Sequence, residues 1–133
     1  MKIRQTHNIT EIIDLHNKCL PDDEPYEHEN NFYWIGKDQD KPCCFAVATV
    51  LKDGIIFLSR SGVLPAYRGL RFHRRLIKVR EMFAEKNDFR CIITYVKHNN
   101  PSSFASLIKL DYQVYDPEWA YAGSDVVYFI KRF

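Results

Sequence analysis

Val63, Pro65, Tyr67, Arg68, Gly69, Leu70, Arg71, Phe72 and His73 run in close order into a helical pattern, and they concentrate more chemistry than any other stretch of the 133-residue chain. Arg68, Arg71, Arg74 and Arg75, with His73 when protonated, crowd the place where that helix must begin. Cations sit badly at the positive end of a helix dipole, so their accumulation there points to a compensating anion. Backbone N–H groups of the turn can hold phosphate oxygens while the arginines close around them. A nucleotide-bearing cofactor or a nucleic-acid backbone is the ligand class this implies. A second group is acidic: Asp22, Asp23, Glu24, Glu27 and Glu29 follow one another with no intervening lysine or arginine, and His28 lies among them. This block opposes in sign the strongly basic stretch from Arg68 to Arg80. His7, His16, His28, His73 and His98 are dispersed without an HExxH arrangement, and Cys19, Cys43, Cys44 and Cys91 form no CxxC unit. No metal site is expected from these spacings.

The elements that must carry these groups can be read from periodicity and punctuation. Residues 2–5 form a short strand, and Asn8 caps a helix in which Glu11 stands three residues on. Ile9, Ile12, Ile13 and His16 make its apolar-biased face, which ends near Pro21. Residues 22–31 read as a loop or short helix, and Phe32 to Ile35 as a strand closed by Gly36. Residues 43–51 and 55–61 form a hairpin about Asp53-Gly54. After Arg68 a helix presents Phe72, Leu76, Val79 and Phe83 on one face, with Arg71, Arg75 and Lys78 as a polar stripe. Residues 91–96 give another strand, and Asn100-Pro101 supplies a cap followed by a first-turn proline. Residues 113–115 and 126–130 close the order as strands, giving mixed α/β organisation in one domain over 1–133.

Composition bounds the function from outside. The net charge of +2 is too small to imply nucleic acid by itself, and no apolar run is long enough to span a bilayer. A basic helix tracking phosphates keeps nucleic acid open as a weaker reading. The amino terminus carries no secretory pattern, so a cytoplasmic location and reduced thiols are expected. A homodimer is compatible with the chain.

The turn resembles the acyl-CoA binding motif of the GCN5-related N-acetyltransferase (GNAT) family, on Val63, Pro65, Tyr67, Arg68 and Gly69, with Leu76 and Ile77 where the family helix is apolar. Arg71 and His73 stand where the family usually has small residues. A second stretch is similar to the later family motif through Asn100, Ser103, Lys109, Leu110 and Tyr112, with Asp111 in place of a glycine. The resemblance implies an acyl-CoA N-acyltransferase fold, α/β with a central mixed, splayed sheet flanked by helices. It implies acetyl-CoA or another acyl-CoA as cofactor, with contacts from Val63, Arg68, Gly69, Leu70, Arg71, Phe72, His73, Asn100 and Ser103. Val63 is expected to offer backbone hydrogen bonds near the thioester. The tyrosine that relatives often use as an acid corresponds to Ile108, and the resemblance to a branch of the family with a similar Asn-Pro-x-Ser pattern implies Ser103 as the partner of the departing thiol.

On the acceptor side, the resemblance brings the segment after the first helix beside a primary amine of a small molecule or protein. Glu27, His28 and Glu29 are the candidate proton acceptors, and Glu24 a candidate for attracting the amine. Tyr33, Trp34 and Glu118 are candidates for the acceptor wall, although strand alternation sets Tyr33 and Trp34 on opposite faces. A competing reading is a catalytically weak or inactive domain of this type that senses CoA or binds a protein.

Overall fold

The computed structural model describes residues 2–69 and 71–133. Asp53 and Gly54 adopt φ of 61° and 72°, the left-handed pair that a tight hairpin demands, and join β3 (Lys41–Val50) to β4 (Ile55–Val63). Around this hairpin the described strands form one seven-stranded sheet in the order β1 (Lys2–Thr6), β2 (Asn31–Asp38), β3, β4, β5 (Cys91–Lys97), β7 (Val126–Arg132), β6 (Gln113–Val114). β4 and β5 are parallel, whereas every other adjacent pair is antiparallel. Their ladder holds only Ile55 to Phe57 against Cys91 to Ile93, after which the strands diverge. The sheet is mixed and splayed.

Among the described residues three α-helices accompany the sheet: α1 (Ile9–Cys19), α2 (Phe72–Lys86) and α3 (Pro101–Lys109). Asn8 caps α1 by accepting from the Glu11 N–H at 3.2 Å, and Asn100 caps α3 by accepting from the Ser103 N–H at 3.2 Å. α2 packs Leu76, Ile77 and Ala84 on one sheet face against Ile56, Leu58, Ile92 and Phe129. α1 covers part of the other face, with Ile12, Leu15 and Cys19 against Ile35, Phe45 and Val47. The rest of that face carries Phe57, Cys91, Ile93 and Ile130, and it is covered by loop aromatics, Tyr26, Tyr115 and Tyr121, rather than by a helix.

Several expectations need adjustment. β2 runs through Gly36 to Asp38, because its antiparallel partner continues to Lys41. A 3₁₀ turn, Pro65–Tyr67, precedes α2. Arg80 and Glu81, which belong to neither the apolar face nor the polar stripe read from the sequence, are buried on α2. Glu81 accepts from Lys131 Nζ at 2.8 Å, and Arg80 is satisfied by backbone carbonyls. Asp111 takes φ 68°, meeting the turn geometry for which the motif usually has glycine. The four cysteines are buried thiols. Among the described residues, no helix is long and apolar enough to cross a membrane, and no group of His, Cys, Asp and Glu could hold a metal.

Candidate active site

The end of β4 passes into α2 through the basic turn. Gly69 adopts φ 81°, and a Cβ built on it would meet nothing within 4 Å, so it is backbone geometry rather than packing that requires glycine. Arg71 is the residue before α2, in left-handed conformation at φ 64° and without a side-chain cap hydrogen bond. The first N–H groups of α2 therefore face the turn without a side-chain acceptor from that residue. A cavity of 400 Å³ lies over them, lined by Val63, Arg68, Gly69, Arg71, Phe72 and His73 among others. Open backbone, a helix N-terminus and exposed arginines are a donor set that fits a pyrophosphate. Arg68 Nε donates to the Val63 carbonyl at 3.1 Å, which ties the arginine to the end of β4. Leu70, expected in this contact set, lies outside the described residues.

Next to this mouth is a slot of 260 Å³ between the diverging strands, lined on β4 by Leu58 to Ser61 and on β5 by Thr94 to Lys97. Val63 does not line the slot. It sits at the mouth, so the strand backbone beside the divergence is that of Ser59 to Ser61. The pairing of β3 with β4 shifts there: Val47 faces Arg60 and Ala48 faces Leu58, which leaves Ser59 as a bulged residue. Arg80 reaches this bulge from α2. Its Nη1 donates to the carbonyls of Val47 at 3.0 Å and Arg60 at 3.3 Å, and its Nε to that of Leu76 at 3.0 Å. Burial lowers its pKa to about 10, so it is a cation at neutral pH.

His73 on α2 and Ser103 on α3 meet across the slot, with Nε2 to Oγ at 3.4 Å. Both residues line the slot and the mouth alike. Burial, with Arg80 adding its charge, pushes the His73 pKa down to about 4, so the ring is neutral at pH 7. Asn100 also lines the slot, and its side-chain oxygen is engaged in capping α3. The position expected to replace the acidic tyrosine is corrected: Ile108 is 47% exposed on the outer side of α3, whereas Leu107, 3% exposed, lines the slot. Ser103 lies one helical turn before Leu107, on the same face.

Two cavities open on the opposite face of the sheet. One, of 460 Å³, lies between α1 and the 22–31 loop and brings together Tyr33, Glu27, His28 and Glu29 with His16 and Arg60. His28 Nδ1 accepts from the Asn30 N–H at 3.0 Å, and its ring stacks on Tyr26. The other, of 750 Å³, is walled by aromatics that include Tyr26, Phe57, Tyr95 and Tyr121, with Glu118 and the exposed Trp119 at its loop. Glu24 is exposed and lines none of these cavities. Trp34 is corrected as a wall residue: it is 4% exposed and meets Phe83 edge-on at 5.3 Å beneath α2, on the other side of the sheet from Tyr33.

Sequence reasoning passed over His16, Arg60 and Arg80 as site residues. His16 is 2% exposed, and burial lowers its pKa, with the Asn17 side chain opposing that shift and Arg60 adding to it. The one available signal for Arg60 was a cation inside an otherwise apolar and small-residue strand, β4.

The model of a family described as the acetyltransferase (GNAT) family matches residues 3–110. No curated protein matches the chain. Among solved structures, a Bacillus subtilis acetyltransferase in complex with CoA is similar at a TM-score of 0.81 and 12% identity, over 99% of this chain and 98% of that one. The IAA acetyltransferase of Bacillus cereus gives 0.80 and 10% over 99% of both chains. The PaiA N-acetyltransferase of Thermoplasma acidophilum, in complex with coenzyme A, gives 0.77 and 12% over 100% of both. At these identities the likeness is one of fold.

Proposed function

Because this chain belongs to the acetyltransferase (GNAT) family, we propose that it transfers an acetyl group from acetyl-CoA, or a related acyl group from its CoA thioester, directly to a primary amine. The observation that carries this reading is the parting of β4 from β5 after Phe57 and Ile93, which opens a slot beside the N-terminus of α2. Two of the structural neighbours hold CoA, which supports the same class of cofactor here.

When bound, acetyl-CoA supplies an electrophilic carbonyl and a thiolate leaving group. The N–H groups at the start of α2, with Arg68 and Arg71, hold its phosphates. For Arg68 this means exchanging the Val63 carbonyl for a phosphate oxygen. Arg80 holds the bulge through the carbonyls of Val47 and Arg60 and keeps a positive charge beside the slot, where negative charge develops. Ser103, held by neutral His73, positions a proton for the departing sulfur. The acceptor amine approaches from the opposite face, where His28, Glu27 or Glu29 takes its proton.

Calorimetric titration with CoA and acetyl-CoA, followed by thiol release with a panel of amines, tests the reading. One-site binding weakened by Arg68→Ala, together with amine-dependent CoA release, is the expected result. Binding without release from any amine would favour a CoA-sensing domain. A folded protein that binds neither compound would refute the CoA-dependent reading altogether.

A further inference from the structure

Arg60 is where the thioester slot and both cavities of the opposite face meet, since it lines all three. It follows the bulged Ser59, so its backbone flanks the slot while its guanidinium lies among aromatic rings. Nη1 donates to the Ser59 carbonyl at 2.9 Å and to Tyr95 Oη at 3.3 Å, and the guanidinium lies 5.9 Å from the centre of the Tyr26 ring. Its Nε is buried without an acceptor. Among the described residues no carboxylate pairs with it, although Glu27, Glu29 and Glu118 line the same cavities. A half-buried guanidinium with an unpaired N–H is stabilised most by a bidentate anion, above all a carboxylate.

Resting on the acetyl-transfer reading, we infer that the acceptor is a free α-amino acid with a bulky apolar side chain, aromatic by preference, whose carboxylate is held by Arg60. An α-amino acid separates amine from carboxylate by one carbon, so a carboxylate on Arg60 brings the amine to the edge of the slot. The side chain then enters the 750 Å³ cavity walled by Tyr26, Phe57, Tyr95 and Tyr121, a volume in the usual range of small-molecule sites, about 300–1,000 Å³. The acidic rim complements the ammonium of the arriving zwitterion. In the reaction the neutral amine nitrogen bonds to the thioester carbonyl carbon and the C–S bond breaks with its electron pair on sulfur. One proton leaves nitrogen and one joins the thiolate, and the products are the N-acetyl amino acid and CoA.

The test compares L-phenylalanine with phenethylamine, and L-tyrosine with tyramine, on wild-type protein, Arg60→Gln and Arg60→Lys. Calorimetric binding to the CoA-saturated protein and CoA release from acetyl-CoA are both measured. The wild type is expected to favour each amino acid over its decarboxylated counterpart by about tenfold or more, the worth of a charge-assisted contact. Arg60→Gln is expected to collapse that ratio to within about threefold, and Arg60→Lys to retain part of it. A wild type that favours the decarboxylated amines, treats both alike or engages none of the four overturns the inference, whatever the variants do. So does a ratio that Arg60→Gln leaves intact. Acetyl-CoA binding on the same samples decides the parent reading separately, and turnover of phenethylamine without preference removes only the carboxylate assignment.

Discussion

Replacing Arg71 by glycine should make the protein more stable and its CoA binding weaker. Arg71 holds φ 64° at the residue before α2, donates nothing as a cap and carries a positive charge to the positive end of the helix dipole. Left-handed backbone costs a non-glycine residue about 1–2 kcal/mol, and a misplaced charge there about 0.3–1 kcal/mol. Glycine recovers both, less about 0.4–1 kcal/mol for the greater freedom of its unfolded chain. The net gain is about 1–2 kcal/mol, roughly 3–8 °C in Tm for a chain of this size. Thermal unfolding followed by circular dichroism at low and high salt separates the parts, since salt screens the dipole contribution but leaves the dihedral one. CoA affinity should fall about three- to tenfold at low salt through loss of an exposed cation facing phosphate. A less stable Arg71→Gly protein, or one that binds CoA more tightly, would refute the view that this turn trades backbone ease for a phosphate contact.

Two further outcomes are expected. Gly62→Ala should lower stability by about 1–3 kcal/mol, since the new Cβ would lie 2.6 Å from Cys19 Cβ and 2.8 Å from Phe45 Cε1, where α1 meets β4; an unchanged Tm would show that α1 yields freely. His73, ordinarily near 6.5 when unfolded, is held at about 4 in the fold, so its contribution is intact above pH 6.5 and is lost as pH falls towards 4. Urea unfolding should therefore show a steeper loss between those values for the wild type than for His73→Gln, by about 2–3 kcal/mol at most. Parallel curves for the two proteins would mean that the ring takes up its proton inside the fold. His16, also lowered by burial, acts in the same direction and stays in both proteins.

Local interactions made much of this molecule legible. Asn8, Asn100 and Asp53-Gly54 act through hydrogen bonds and dihedrals that span two or three residues, and each appears in the structure as its neighbours imply. The basic turn was readable for the same reason: a helix start and its charges are adjacent in the chain. Alternation likewise separated Tyr33 from Trp34, but it could not say which of the two faced a cavity. The choice fell to α2, which came down on the Trp34 side.

The sequence by itself determined the order of elements, the turn that begins α2 and the acyltransferase pattern of its two motifs, because those depend on residues close together along the chain. Only the tertiary structure decided that β4 and β5 part after three pairs, that Leu107 rather than Ile108 faces the slot, and that Arg60 and Arg80 flank it from opposite faces of the sheet. Burial and charge are properties of packed neighbours: Arg80 finds its acceptors on Val47 and Arg60, and Arg60 meets Tyr26 and Tyr95, contacts that exist only once distant segments have come together.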